Sequence, residues 1–197
     1  MGERSENVTW HSSAVTREGS DSDRGSGATV WLTGLPASGK STIAAELEHA
    51  LLERGRAAYL LDGDNLRHGL NGDLGFSVAD RGESVRRAGE VARLFADAGL
   101  VALVSLVSPY ADARARVRAM HETDDLPFLE VYVNTPLDEC ERRDPKGLYA
   151  KARAGELTGL TGIDDPYEAP ERPALELRPV EQSVEEAVAA LLTLLGH

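Results

Sequence analysis

A three-layer α/β/α sandwich around a mostly parallel sheet of about five strands is the fold this sequence predicts. Three observations predict it. Short apolar runs alternate with helical patterns from Ala28 onward. Four of those runs end in polar clusters, as expected where ligands collect beyond the carboxyl ends of parallel strands. The first cluster, Gly34 to Ser41, reads GLPASGKS and has the letters and the strand-to-helix setting of a phosphate-binding P-loop.

The elements follow in order. Val30, Trp31 and Leu32 mark a strand from Ala28 to Thr33, and Ile43, Leu47, Leu51 and Leu52 recur at helical spacing in a helix from Ser41 to Glu53. A strand from Ala57 to Leu61 precedes a helix from Asp80 to Ala98, and a strand from Val101 to Leu106 precedes a helix from Asp112 to His121. Phe128 to Val133 is the fourth strand, with a short helix, Leu137 to Arg142, after it. Such alternation implies a parallel sheet covered on both faces. From Arg143 to Pro173 charges, glycines and prolines replace a strand, and an insertion of this kind reads as a mobile lid. Ala174 to Leu177 adds an edge strand and Val184 to Leu195 a final helix. Residues 1 to 27, rich in Ser, Gly, Asp, Glu and Arg with Trp10 as an anchor, read as a flexible leader to one domain spanning 28 to 197.

The formal net charge of −12 argues against a nucleic-acid partner, which normally requires a basic face. A small anionic ligand is still compatible with it, because Arg67, Arg81, Arg86, Arg87, Arg143, Lys146, Lys151 and Arg153 gather near the motifs. No apolar run is long enough to span a bilayer and the N-terminus has no signal-like apolar region, so a soluble, cytoplasmic protein without a membrane partner is expected. Cys140 is the single cysteine and reads as a structural thiol. His49, His68 and His121 lack metal-ligand spacing and read as surface or supporting residues.

The P-loop residues each have a physical reason. Gly34 and Gly39 let the backbone wrap a polyphosphate, while the N–H groups of Leu35, Pro36-flanking Ala37, Ser38 and the helix start through Thr42 face the anion. Lys40 can reach the outer phosphates, and the Ser41 hydroxyl can ligate Mg²⁺. Asp62 and Asp64 stand two apart at the end of the second strand, where an extended backbone points both the same way. One can accept a hydroxyl proton while the other acts on Mg²⁺ through water.

Beyond the P-loop, the segment from Leu60 to Leu100, with its DGDN-x-R, DLGFS and DR strings, and RDPKGLY from Arg143 onward closely resemble adenylylsulfate kinases. The resemblance extends through ENVTWH, Glu6 to His11, and the Ser-Pro pair at Ser108 and Pro109. It implies ATP-dependent phosphorylation of the ribose 3′-hydroxyl of adenosine 5′-phosphosulfate (APS), giving 3′-phosphoadenosine 5′-phosphosulfate (PAPS), for sulfate assimilation or sulfonate donors.

The resemblance also implies roles. Lys40 holds the β and γ phosphates, Asp64 receives the acceptor proton, Arg67 and Arg81 grip the phosphosulfate, and Phe76 stacks on the adenine of APS. Val107 and Ser108 match the Ser-Pro site, where the family's serine is assigned a phosphoserine intermediate, although no neighbouring base in the sequence would activate it. Lys146 contacts the acceptor from the lid, and Arg143 meets ATP phosphates on closure. Family members are often dimeric, so a homodimer is expected. Three positions depart from the family pattern: Ser84 in place of Asn, Ala111 in place of Arg, and Leu160, after Gly159, in place of the Phe that would complete an adenine sandwich with Phe76. Two alternatives therefore stay open, a phosphotransferase with a different nucleoside-type hydroxyl acceptor and a non-catalytic nucleotide-binding subunit of a sulfate-activating complex.

Overall fold

Strands whose every side chain is apolar or small can be buried on both faces, and β1 (Ala28–Thr33) is buried at all six positions. It runs through the middle of a five-stranded sheet in the order β2-β3-β1-β4-β5, with β2 (Ala58–Asp62), β3 (Val101–Ser105), β4 (Phe128–Val133) and β5 (Leu175–Leu177). All four pairings are parallel. The structure is a computed structural model that describes Gly27 to Gly196. Residues 1 to 26, including Trp10 and the Glu6 to His11 string, lie outside the described residues.

Two apolar layers sandwich the sheet. On one face Val30, Leu32, Leu103 and Val131 pack against Ile43, Leu47 and Leu51 of α1 (Lys40–Glu53) and Val188 and Leu191 of α7 (Val184–Leu194). On the other face Trp31, Ala102 and Val104 meet Val85, Ala88 and Ala92 of α3 (Val78–Asp97) and Ala113 and Val117 of α4 (Ala111–Thr123). The helices that follow the adjacent strands β1 and β3 thus leave to opposite faces. Their divergence opens a crevice at the carboxyl edge of the sheet.

Several expectations need correction. Leu52, placed by spacing on the apolar stripe of α1, is 54% exposed; a helix covering one sheet needs only the narrower stripe of Ile43, Leu47 and Leu51. A short helix, α2 (Gly63–Arg67), starts directly at the end of β2, with the Asp62 side chain accepting from the Asp64 N–H as its cap. The expected lid is no featureless insertion. After α5 (Leu137–Arg143) it forms α6 (Leu148–Arg153), and Tyr149 and Leu160 join Cys140 in a third apolar cluster that packs on Leu35 and Ala37 of the P-loop. None of the described helices is long and apolar enough to cross a membrane.

His121 is fully buried rather than at the surface. Its Nδ1 lies 2.9 Å from Val117 O, which only accepts, so Nδ1 carries the proton and Nε2 accepts from the Thr29 hydroxyl at 2.9 Å. Burial pushes its pKa below the ordinary histidine value, and the nearby Arg93 charge pushes the same way. The unfolded chain therefore takes up this proton at a higher pH than the folded one. The stabilisation is complete above about pH 6.5 and is lost as pH falls from there through the folded pKa. Urea unfolding at pH 7.5 and pH 5.5 checks this: the parent should lose more stability over that interval than His121→Gln, and equal losses would place the titrating group elsewhere.

Candidate active site

Where β1 stops, Gly34 carries the chain over the end of β4: a Cβ on it would sit 2.5 Å from the Val133 carbonyl oxygen. The loop is pinned at two further points, with Thr135 donating to Ser38 O at 2.8 Å and the Tyr149 hydroxyl donating to Pro36 O at 3.0 Å. Gly39, at φ 104°, turns the chain into α1. The Lys40 side chain folds back across its own loop. Its ammonium donates to Gly34 O at 2.9 Å, Leu35 O at 2.7 Å and Ser38 Oγ at 3.2 Å. Burial pushes its pKa down to about 8. A helix N-terminus and a desolvated ammonium on one loop make a polyphosphate cradle.

Ser41 donates to Asp62 Oδ2 at 2.6 Å and lies 3.1 Å from Ser105 Oγ, so oxygens from α1, β2 and β3 meet at one point. No group of three or more His, Cys, Asp or Glu able to hold a metal occurs among the described residues. A cation here would have to share its coordination with bound phosphates, which suits Mg²⁺. Asp64 does not extend the strand beside Asp62 as its spacing suggested. It belongs to the first turn of α2, because the Asp62 cap takes its N–H at 2.9 Å, and its carboxylate pairs with the Lys146 ammonium.

Arg67, Phe76 and Arg81 come together beside this pair. The Phe76 ring is 63% exposed and carries the Arg67 guanidinium 4.0 Å from its centroid and that of Arg81 at 5.7 Å. Arg67 donates to Leu74 O and Gly75 O, both at 3.3 Å. Arg81 donates to Phe76 O at 3.0 Å and to Gly159 O at 2.6 Å, and it faces Asp165 at 3.6 Å. Burial, reinforced by the Arg81 charge, lowers the Arg67 pKa. Two cations held this close favour an anion between them. On the donor side, Arg143 donates to Glu139 at 2.8 Å and to Ser38 O at 3.5 Å.

Other expected site residues are occupied elsewhere. Ser108, at φ 39° and 3% exposed, accepts from Trp31 Nε1 at 3.1 Å and donates to Thr33 Oγ1 at 2.9 Å. Its hydroxyl is bonded on both sides in the core seam between β1 and β3. Thr33 reaches the neighbouring Val107 O at 2.8 Å. Ser84 is buried on α3 and accepts from the Asn71 carboxamide at 2.9 Å. Leu160 is 7% exposed in the cluster with Cys140 and Tyr149, and it is Arg67 that lies over the Phe76 ring. Ala111 opens α4, its N–H donating to Glu168 at 2.7 Å.

Residues the sequence reading overlooked complete the frame. Arg114, 2% exposed, donates to Glu130 and Ser108 O, each at 2.7 Å, and to Glu168 O at 2.7 Å. In an Arg-rich helix nothing local marks this arginine as the buried one. A cavity of about 240 Å³ lies between Gly39, Thr42 and Arg143 on the P-loop side and Pro179, Gln182 and Val184 on the other. The latter come from a stretch that carries no motif.

Ser108→Ala should keep phosphoryl transfer within about tenfold of the parent while lowering Tm by a few degrees, because it strands the buried Trp31 N–H. A loss beyond about a thousandfold, or a phosphoserine found by mass spectrometry during turnover, would return a covalent role to the hydroxyl.

The same residues can be set against known proteins. Residues 26–178 match the family model for adenylylsulphate kinase. An adenylyl-sulfate kinase of Citrobacter koseri is 56% identical over 99% of this chain and 96% of its own length, and one of Geotalea uraniireducens is 53% identical over 98% and 92%. The structure of the Mycobacterium tuberculosis APS kinase CysC in complex with AMPPNP and APS superposes with a TM-score of 0.85 at 55% identity, covering 88% of this chain and 99% of that one. The chain, with its P-loop and paired arginines on one crevice, belongs to the adenylylsulfate kinase family.

Proposed function

We propose that this chain transfers the γ-phosphoryl group of ATP to the 3′-hydroxyl of APS, giving PAPS and ADP. The observation that carries the reading is the meeting of two halves: Lys40, Ser41 and Asp62 as a polyphosphate site, and Asp64, Arg67, Phe76 and Arg81 as an acceptor site beside it. Phosphoryl transfer asks a protein mainly for alignment, charge neutralisation and exclusion of water. Alignment and charge neutralisation both have residues assigned to them in this crevice.

On the donor side, Lys40 exchanges the loop oxygens it now contacts for β- and γ-phosphate oxygens. Ser41, Ser105 and Asp62 are hard oxygen donors that fit Mg²⁺, and Ser41 and Asp62 are the residues that would hold it. When bound, Mg²⁺ neutralises the charge that builds on the transferring phosphoryl group. Arg143, anchored by Glu139 beside Ser38, adds a cation at the same phosphates.

On the acceptor side, Arg67 and Arg81 take the phosphosulfate, and the exposed Phe76 ring offers its face to the adenine. Asp64 receives the 3′-hydroxyl proton as the ribose oxygen bonds to the γ-phosphorus and the bond to the ADP oxygen breaks. Lys146 keeps the carboxylate of Asp64 in place from the lid. The departures at Ser84, bonded to Asn71, and Leu160, packed with Cys140 and Tyr149, lend no support to a different acceptor. A non-catalytic role is disfavoured by the complete set of Lys40, Ser41, Asp62 and Asp64. We also infer a cytoplasmic, homodimeric enzyme from the family resemblance; light scattering tests the dimer.

ADP release by the purified chain with Mg-ATP and APS, with PAPS identified chromatographically, tests the function. Efficient turnover only with another hydroxyl acceptor would overturn it. Asp64→Asn should lower kcat by about 10²- to 10⁴-fold with little change in ATP binding, and Arg67→Lys should raise the KM for APS about tenfold by losing the planar fork. A kcat defect without a KM change in the arginine variant would place it outside the phosphosulfate site.

A further inference from the structure

Arg81 is gripped from three directions. Its Nε donates to Phe76 O at 3.0 Å and its Nη2 to Gly159 O at 2.6 Å, while Nη1 donates to none of the described residues. The carboxylate that faces the guanidinium is Asp165, with Oδ2 3.6 Å from Nε and the two side chains only 13% and 16% exposed. Because Nε is already turned to Phe76 O, Asp165 offsets the charge without using up a donor.

Asp165 is itself placed from two sides. The Tyr110 hydroxyl donates to its carboxylate, at 3.0 Å from Oδ1 and 3.2 Å from Oδ2, and Thr161 approaches Oδ2 at 3.4 Å. Tyr110 follows the Ser108-Pro109 pair and opens α4 as its N-cap, its carbonyl accepting from Arg114 N–H at 3.3 Å. It therefore stands on a helix packed against α3, the helix that carries Arg81. The turn bearing Asp165 is also closed on itself. Gly162 N–H donates to Asp165 O at 2.8 Å, and the Asp164 carboxylate takes the N–H groups of Gly159 at 2.6 Å and Leu160 at 2.7 Å. One short turn thus offers Arg81 a carbonyl at Gly159 and a carboxylate at Asp165 in fixed relation.

We propose that Asp165, braced by Tyr110, is a positioning residue for the acceptor: it acts on APS only through Arg81, holding the guanidinium so that Nη1 is presented to the phosphosulfate. A free arginine side chain surrenders rotamer freedom when it grips an anion, and one already fixed surrenders little. The advantage belongs to binding, since the transferring phosphoryl group meets the acceptor at Asp64. A carboxylate so close to an anion site also repels the anion, and the sign of the KM change shows which effect wins. The inference rests on the proposed function in taking Arg81 as a phosphosulfate ligand.

Steady-state turnover with Mg-ATP and APS, each varied in turn, tests it in the parent, Asp165→Asn, Tyr110→Phe, Arg81→Ala, and the two double variants that include Arg81→Ala. Asn keeps an oxygen for the Tyr110 hydroxyl and removes the charge; Phe keeps the ring and removes the hydroxyl. Asp165→Asn should raise the KM for APS about fivefold and Tyr110→Phe about threefold, with kcat and the KM for ATP within about twofold of the parent. On the Arg81→Ala background, either change should move the KM for APS by less than about twofold. A KM for APS that stays at the parental value or falls in Asp165→Asn, the same rise on the Arg81→Ala background, or an equal rise in the KM for ATP would each overturn the inference. A carboxylate that only folds its own turn gives the second of these results, because its loss is felt whatever stands at position 81. Failure of the acceptor reading looks different: Arg81→Ala by itself would leave the KM for APS unchanged.

Discussion

Everything at the carboxyl edge of the sheet depends on where β1 is made to stop. The strand is held from both sides there, with Leu106 N–H donating to Leu32 O at 3.2 Å, Thr33 reaching Val107 O at 2.8 Å, and Gly34 crossing so near Val133 O that a side chain has no room. This fixes the first residue of the P-loop against β3 and β4 together. The loop, the Lys40 ammonium that folds over it and the start of α1 inherit their position from that seam. Ser108, with a backbone in the left-handed region, is the far side of the same seam, and its bonds to Trp31 and Thr33 offset the cost of that conformation.

The parts of this arrangement that were legible in the sequence are those whose cause is local. A run of apolar residues buried on both faces, followed by a glycine turn and a helical stripe, announces β1, the P-loop and α1 because each signal lies within a few residues of its effect. Where the cause is distant, the sequence misled. Ser108 and Trp31 are 77 positions apart, and Ser84 and Asn71 lie on different elements, so nothing near either serine marks its hydroxyl as already bonded. Leu160 reads as a failed aromatic until Tyr149 and Cys140, brought in by α6 and α5, enclose it.

The electrostatics of the chain divide by region in a way that the net charge of −12 conceals. Acidic residues dominate the surface, while the crevice gathers Lys40, Arg67, Arg81, Arg143 and Lys146. Each cation is held by oxygens of moderate demand: carbonyls for Lys40 and Arg67, a carbonyl and Asp165 for Arg81, Glu139 for Arg143 and Asp64 for Lys146. Lys40, 7% exposed, is the buried member of the set, and burial lowers its pKa to about 8. Cations kept partly desolvated and close together repel one another until an anion arrives. That repulsion is relieved by a polyphosphate on one side and a phosphosulfate on the other.

A lid over Arg143 to Pro173, as proposed from the sequence, must release product as well as cover substrate, and the contacts of that segment divide along those lines. Lys146 meets Asp64 with both side chains more than half exposed, and a pair so placed contributes at most about 1 kcal/mol. The Arg81 bond to Gly159 O is more shielded and is joined by the Arg81 ion pair with Asp165 at 3.6 Å. At its base the segment is rooted by the buried Tyr149, which packs with Cys140 and Leu160 and donates to Pro36 O of the P-loop. Opening therefore costs least at Lys146, somewhat more at Gly159, and most at Tyr149, where apolar burial and a hydrogen bond would be lost together. A motion graded in that order lifts the cation from Asp64 first and frees the acceptor side, while Tyr149 keeps the P-loop backbone in the shape that holds the nucleotide.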